Sequence, residues 1–168
     1  MKPFVWTLST LFLTTSLVAA APPESKGAAA MEKMKSLEGV WEGNDPEGNP
    51  VSISYKVVSA GSSVEETIDH SKMGHDAMVT MYHLDGDKLM MTHYCSMGNQ
   101  PRMLLTNSTP TSMAFSFVDA TNMASKDAAH MHKLVITWTD KDHISHEWTM
   151  RAKGKDESPV VFKLSRKS

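Results

Sequence analysis

From residue 40 to the C-terminus the chain is cut into about ten short runs in which apolar and polar residues alternate, with turn residues in the gaps. No other feature constrains the fold as much. Period-two alternation puts one set of side chains on each face of a strand. Short runs joined by short turns pair most simply with their sequence neighbours, antiparallel and up-and-down. We expect strands at 40–43, 51–58, 63–68, 77–84, 88–96, 102–106, 112–118, 130–139, 143–152 and 160–164. The gaps hold Asn44, Asp45 and Pro46, then Gly61, then Gly98, Asn99 and Pro101, then Pro110, then Asp140 and Asp142. Asp85-Gly86 is the strongest hairpin signal, because glycine accepts the positive φ that a tight hairpin needs. An open sheet of this size would leave two exposed edges, and closure removes them. The expected fold is all-β: a single antiparallel up-and-down barrel of about ten strands, preceded by a short helix.

Alternation also assigns faces. The inward set is Val51, Ile53, Tyr55 and Val57 in one strand, and Met113, Phe115 and Phe117 in another, pointing on to Asp119. Leu134, Ile136 and Trp138 share a face with His130 and His132, and His146 falls between Ile144 and Trp148. The stretch 119–129 reads as a lid or short helix. Residues 28–37 read as a helix, with Met31, Met34 and Leu37 forming one apolar stripe.

Lys2 and the apolar run up to Ala20 have the form of a signal peptide, with Val18 and Ala20 as the small residues before a cleavage point. We expect residues 1–20 to be removed, 21–27 to be a linker and 28–168 to be the barrel domain. That places the protein in the periplasm or outside the cell. No run of the mature chain is apolar enough to be a stable membrane span. A net charge of −2 gives no electrostatic footprint for nucleic acid. Cys95 is the single cysteine, so no internal disulfide forms.

Leu37, Gly39 and Trp41 place a tryptophan two residues after a glycine at the end of the helix. This arrangement resembles the start of lipocalins and their fatty-acid-binding and nitrobindin-like relatives. The resemblance implies a calycin-like barrel with the tryptophan plugging its base, and a cation from the last strand, Lys163 or Arg166, stacked on it. The segment from Met78 through His83, His93, Cys95, Asn99 and Arg102 to Met103 resembles a widespread family of exported bacterial proteins of unassigned function, as do Asp119 to Asn122 and His130-Met131-His132. Nitrobindin-like proteins bind haem through a late histidine. No histidine follows His146 here, which leaves His132 or His146 as the axial ligand the resemblance would offer.

The chain has 8 histidines and 14 methionines. Residues two apart on a strand share a face, so His130 and His132 converge, and His146 on the neighbouring strand is expected to face them. Asp119 at the same rim would orient an imidazole. His93 lies two residues before Cys95. Imidazole, thioether and thiolate together suit copper, and the metal site expected from these residues is His130, His132 and His146. Arg102 at a strand start would bind an anionic head group. A carboxylate pair, Glu65 or Glu66 with Asp119, is of a kind any barrel contains. No Gly-x-Ser-x-Gly elbow, Walker loop or dinucleotide turn is present. The expected function is binding of a small, largely apolar molecule inside the barrel, oriented by His93, Arg102, Asp119, His130, His132 and His146. The alternatives are a copper or haem site on the histidines, or a small-molecule enzyme with a histidine base.

Overall fold

The structure, a computed structural model, describes residues 25–70 and 76–167. The signal peptide expected at 1–20 and the first residues of the linker lie outside the described residues.

The helix α1 spans Lys26–Lys35, two residues earlier at its start than its apolar stripe indicates. Ser25 explains the difference: its hydroxyl accepts from the Ala28 amide at 3.1 Å and caps the helix. Ala30, Met31 and Met34 of the helix, with Leu37 just beyond it, are buried.

Ten long strands follow: β1 (Gly39–Asn44), β2 (Pro50–Val58), β3 (Ser63–Asp69), β4 (Met78–Asp85), β5 (Lys88–Tyr94), β6 (Gln100–Thr109), β7 (Ser112–Thr121), β8 (His130–Trp138), β9 (His143–Ala152) and β11 (Val160–Arg166). A two-residue strand, β10 (Lys155–Asp156), folds back onto β9. Each strand from β1 to β9 pairs antiparallel with the next, β11 lies between β9 and β1, and the β8–β9 pairing closes the ring. This is the expected all-β, calycin-like barrel with one short N-terminal helix. Strand β4 passes to β5 through the two residues Gly86 and Asp87, with Gly86 at φ +61°. Among the described residues no helix is long and apolar enough to cross a membrane.

Trp41 sits where helix and barrel meet. It is fully buried, and its indole N–H donates to the Leu37 carbonyl at 2.8 Å. Arg166 is the cation stacked on it, 4.2 Å from the ring centroid. The same guanidinium donates to the carbonyls of Glu38 and Ser36, at 2.8 and 3.0 Å. Gly39 makes room for it. Its φ is +123°, and a side chain there would come within 3.3 Å of Arg166 Nη1. Lys163, the other candidate, points outward and is exposed.

The barrel interior is lined with hydrophobic side chains, including Ile53, Met91, Met103, Phe115, Leu134 and Leu164. The inward positions of β2 and β9 follow the alternation. Three breaks in register interrupt it elsewhere. On β6, Leu105 pairs with Phe115 and Asn107 with Ala114, so Thr106 is extra. On β7, Asp119 pairs with Arg102 while Phe117 pairs with Met103, so Val118 is an extra residue. A one-residue bulge reverses which face the following residues take. On β8, Met131 pairs with Met150 and Lys133 with Thr149, so His132 is extra.

Candidate functional site

The hydrophobic interior is interrupted by a polar cluster. There, register places four polar side chains in a row across four consecutive strands. Tyr55 on β2 stands opposite Glu66 on β3, Glu66 opposite Thr80 on β4, and Thr80 opposite His93 on β5. Directly opposed residues have Cβ atoms about 5 Å apart, close enough for short polar side chains to bond.

Glu66 is the hub. It is fully buried between Val64 and Ile68 on the inward face of β3. Tyr82 donates to its Oε2 at 2.8 Å and Thr80 to its Oε1 at 3.2 Å, and the Tyr55 hydroxyl lies against the same carboxyl. Burial raises its pKa to about 7, and the three hydroxyls pull in the opposite direction. The same burial, with the carboxylate beside them, holds the Tyr55 and Tyr82 phenols well above their ordinary value.

Each end of the row carries an imidazole. His93 Nδ1 is 2.9 Å from Thr80 Oγ1, and His146 Nε2, from β9, is 2.7 Å from the Tyr55 hydroxyl. Desolvation lowers the pKa of His93 to about 4 and of His146 to about 3, so both rings are neutral near pH 7. The His93 ring packs on Trp148, with centroids 4.7 Å apart. Three buried polar atoms of this cluster have no hydrogen-bond partner among the described residues: His93 Nε2, His146 Nδ1 and Trp148 Nε1.

The residues singled out in the sequence divide into three groups. His93 and His146 belong to the interior cluster. His130 and His132 do come together: their Nε2 and Nδ1 atoms are 3.2 Å apart, and both rings pack on Phe117. They lie beyond Ser116↔Lys133, the last pair joining β7 to β8. His146, however, is opposite Ile136, six residues from His130 along β8, a separation of roughly 20 Å at strand rise. His130 is opposite Arg151 instead. The expected trio of His130, His132 and His146 therefore does not assemble. Among the described residues no three His, Cys, Asp or Glu side chains gather as a metal-holding group.

Arg102 and Asp119 form the third group. They pair with each other on the outer wall, Arg102 Nε lying 2.6 Å from Asp119 Oδ1, and both side chains are 47% exposed. The Val118 bulge explains this: without it Asp119 would follow Phe117 inward. The pairing holds Asp119 below the usual carboxylate range. An exposed pair contributes little, so Arg102→Ala is expected to leave the chemical-denaturation midpoint nearly unchanged.

Glu66 enters the sequence reading only as half of a chance carboxylate pair with Asp119, which lies on the other face of the barrel wall. Tyr82 and Thr80 are not singled out at all. The signal available for Glu66 is parity, an ionisable residue between two inward apolar ones at Val64 and Ile68.

No family model matches this chain, and no curated protein matches it. Among solved structures it is similar to the crystal structure of Rv2717c from M. tuberculosis, at 16% identity and a TM-score of 0.56, covering 84% of this chain and 99% of that one. That likeness is one of fold.

Proposed function

We propose that this is an exported binding protein that holds a small, largely apolar molecule inside its barrel, anchored by the polar cluster around Glu66. One observation carries the reading: among the described residues, His93 Nε2, His146 Nδ1 and Trp148 Nε1 are buried in the barrel interior without hydrogen-bond partners. Leaving such a group unpaired costs about 1–3 kcal/mol, and a ligand group that meets it recovers part of that cost. The polar anchor of this reading is interior, His93 and His146 with Trp148, and excludes the outward pair Arg102 and Asp119. Native mass spectrometry of protein purified from its source organism is expected to show a noncovalent adduct of small-molecule mass. The adduct is expected to be missing from a folded His93→Leu/His146→Leu variant. A wild-type spectrum of bare chain alone would make the cluster structural. The same spectra are expected to give a chain beginning at Ala21, and a retained N-terminus would count against export.

A second reading rests on His132. The Ala128 carbonyl, 2.8 Å from His130 Nδ1, can only accept, so that nitrogen carries a proton. His130 Nε2 then accepts from His132 Nδ1, which leaves His132 Nε2 a lone pair suited to a metal or haem iron. Titration with Cu, Zn and haem, repeated on His132→Ala, tests it. Equal binding by both proteins would dismiss it.

A further inference from the structure

Two of the three unpartnered atoms belong to side chains in contact. His93 and Trp148 have ring planes tilted by 42°. They come from β5 and β9, which are not neighbours in the sheet, so the contact crosses the lumen. Neither His93 Nε2 nor Trp148 Nε1 bonds to the other or to any other group among the described residues.

The polar row fixes what each atom offers. An ionised carboxylate only accepts. Thr80 has one hydroxyl proton, which goes to Glu66 Oε1. Its oxygen then has only lone pairs left for His93, so His93 Nδ1 carries the proton and donates to it. In the neutral ring the other nitrogen, Nε2, is a bare lone pair. The indole N–H of Trp148 can only donate. The barrel interior thus presents one acceptor and one donor from a single ring pair, both removed from water.

We infer that the His93–Trp148 pair is a subsite for a neutral polar group, a carboxamide or a hydroxyl, that donates to His93 Nε2 and accepts from Trp148 Nε1. This rests on the binding reading above and specifies the ligand's polar end. A carboxylate does not fit: it brings no proton for His93 Nε2. Among the described residues the buried ionisable side chains also include Glu66 but no lysine or arginine to offset a second anion. Arg102, the cation that would have met an acid, is on the outer wall. An ammonium group fails from the other side, since it has no acceptor for the indole N–H.

Calorimetric titration at pH 8, where Glu66 is mostly ionised, decides the matter with three ligands that share one tail: octanamide, 1-octanol and octanoate. Octanamide and octanol are expected to bind, with octanoate at least tenfold weaker. His93→Leu removes the acceptor, and Trp148→Phe keeps an aromatic ring while removing the donor. Each is expected to weaken octanamide about tenfold and to leave octanoate unchanged, with circular dichroism confirming the fold. Trp148→Phe keeps the test decisive should His93→Leu not fold. Octanoate binding as tightly as octanamide would overturn the subsite and leave an interior ligand site standing, as would an unchanged octanamide affinity in both variants. If none of the three binds, the subsite and the binding reading fall together.

Discussion

Trp41→Ala is expected to lower the unfolding free energy by about 3–5 kcal/mol, measured by chemical denaturation. The indole is fully buried at the junction of helix and barrel, where it donates one hydrogen bond and carries one stacked guanidinium. Removing it opens a cavity between Leu37 and the barrel wall. The Leu37 carbonyl loses the donor 2.8 Å away, and Arg166 loses the ring on which its guanidinium is stacked. Arg166 still holds the Glu38 and Ser36 carbonyls, so the loss is expected to show as lower stability of a folded barrel. A change below about 1 kcal/mol would mean that Trp41 does not close the barrel base.

The fold was legible because its determinants are local. Alternation located the strands, and turn residues located the gaps. The two-residue loop after Asp85 even sets the β4–β5 register, which makes Thr80 face His93. The rest of the polar row depends on pairings that no local signal fixes. Glu66 meets Thr80 only because β3 and β4 pair as they do across a long connection, 70–77, whose length does not specify register. His146 reaches Tyr55 only because closure brings β9 round toward β1 and β2, since the two residues are 91 apart in sequence. The bulges were hidden for another reason. Phe115, Phe117 and Asp119 read as one unbroken inward series, and nothing in Val118 marks it as the residue that breaks the series. The same blindness at His132 let the three histidines be aligned on one face. Register separates the clusters, since His146 stands opposite Ile136 and His130 opposite Arg151.

Between pH 6.5 and 4.5 the unfolding free energy is expected to fall by about 2 kcal/mol, and in a His93→Leu/His146→Leu variant to rise by about 2 kcal/mol instead. The signs follow from the three buried groups. Each histidine has a folded pKa, about 4 for His93 and about 3 for His146, below its ordinary 6.5. As the pH falls through 6.5 the unfolded chain takes up protons that the folded barrel refuses, so stability is lost. One pKa unit is about 1.4 kcal/mol, which makes each histidine a loss of nearly 3 kcal/mol by pH 4.5. Glu66 acts in the opposite sense. Its folded pKa of about 7 lies above the ordinary 4.5, so the folded barrel takes up a proton first and gains stability over nearly the same window. Two losses and one gain leave a net loss, and removing both histidines leaves the gain alone. The window stays clear of Asp156, which is held at about 2 by Lys133 and Arg151 and acts only at lower pH. His132, whose pKa is also lowered by burial, adds a smaller loss to both proteins and cancels in their difference. Urea denaturation of both proteins across the window measures that difference. Parallel pH profiles would show that the two imidazoles are not the buried neutral ends of the Glu66 row.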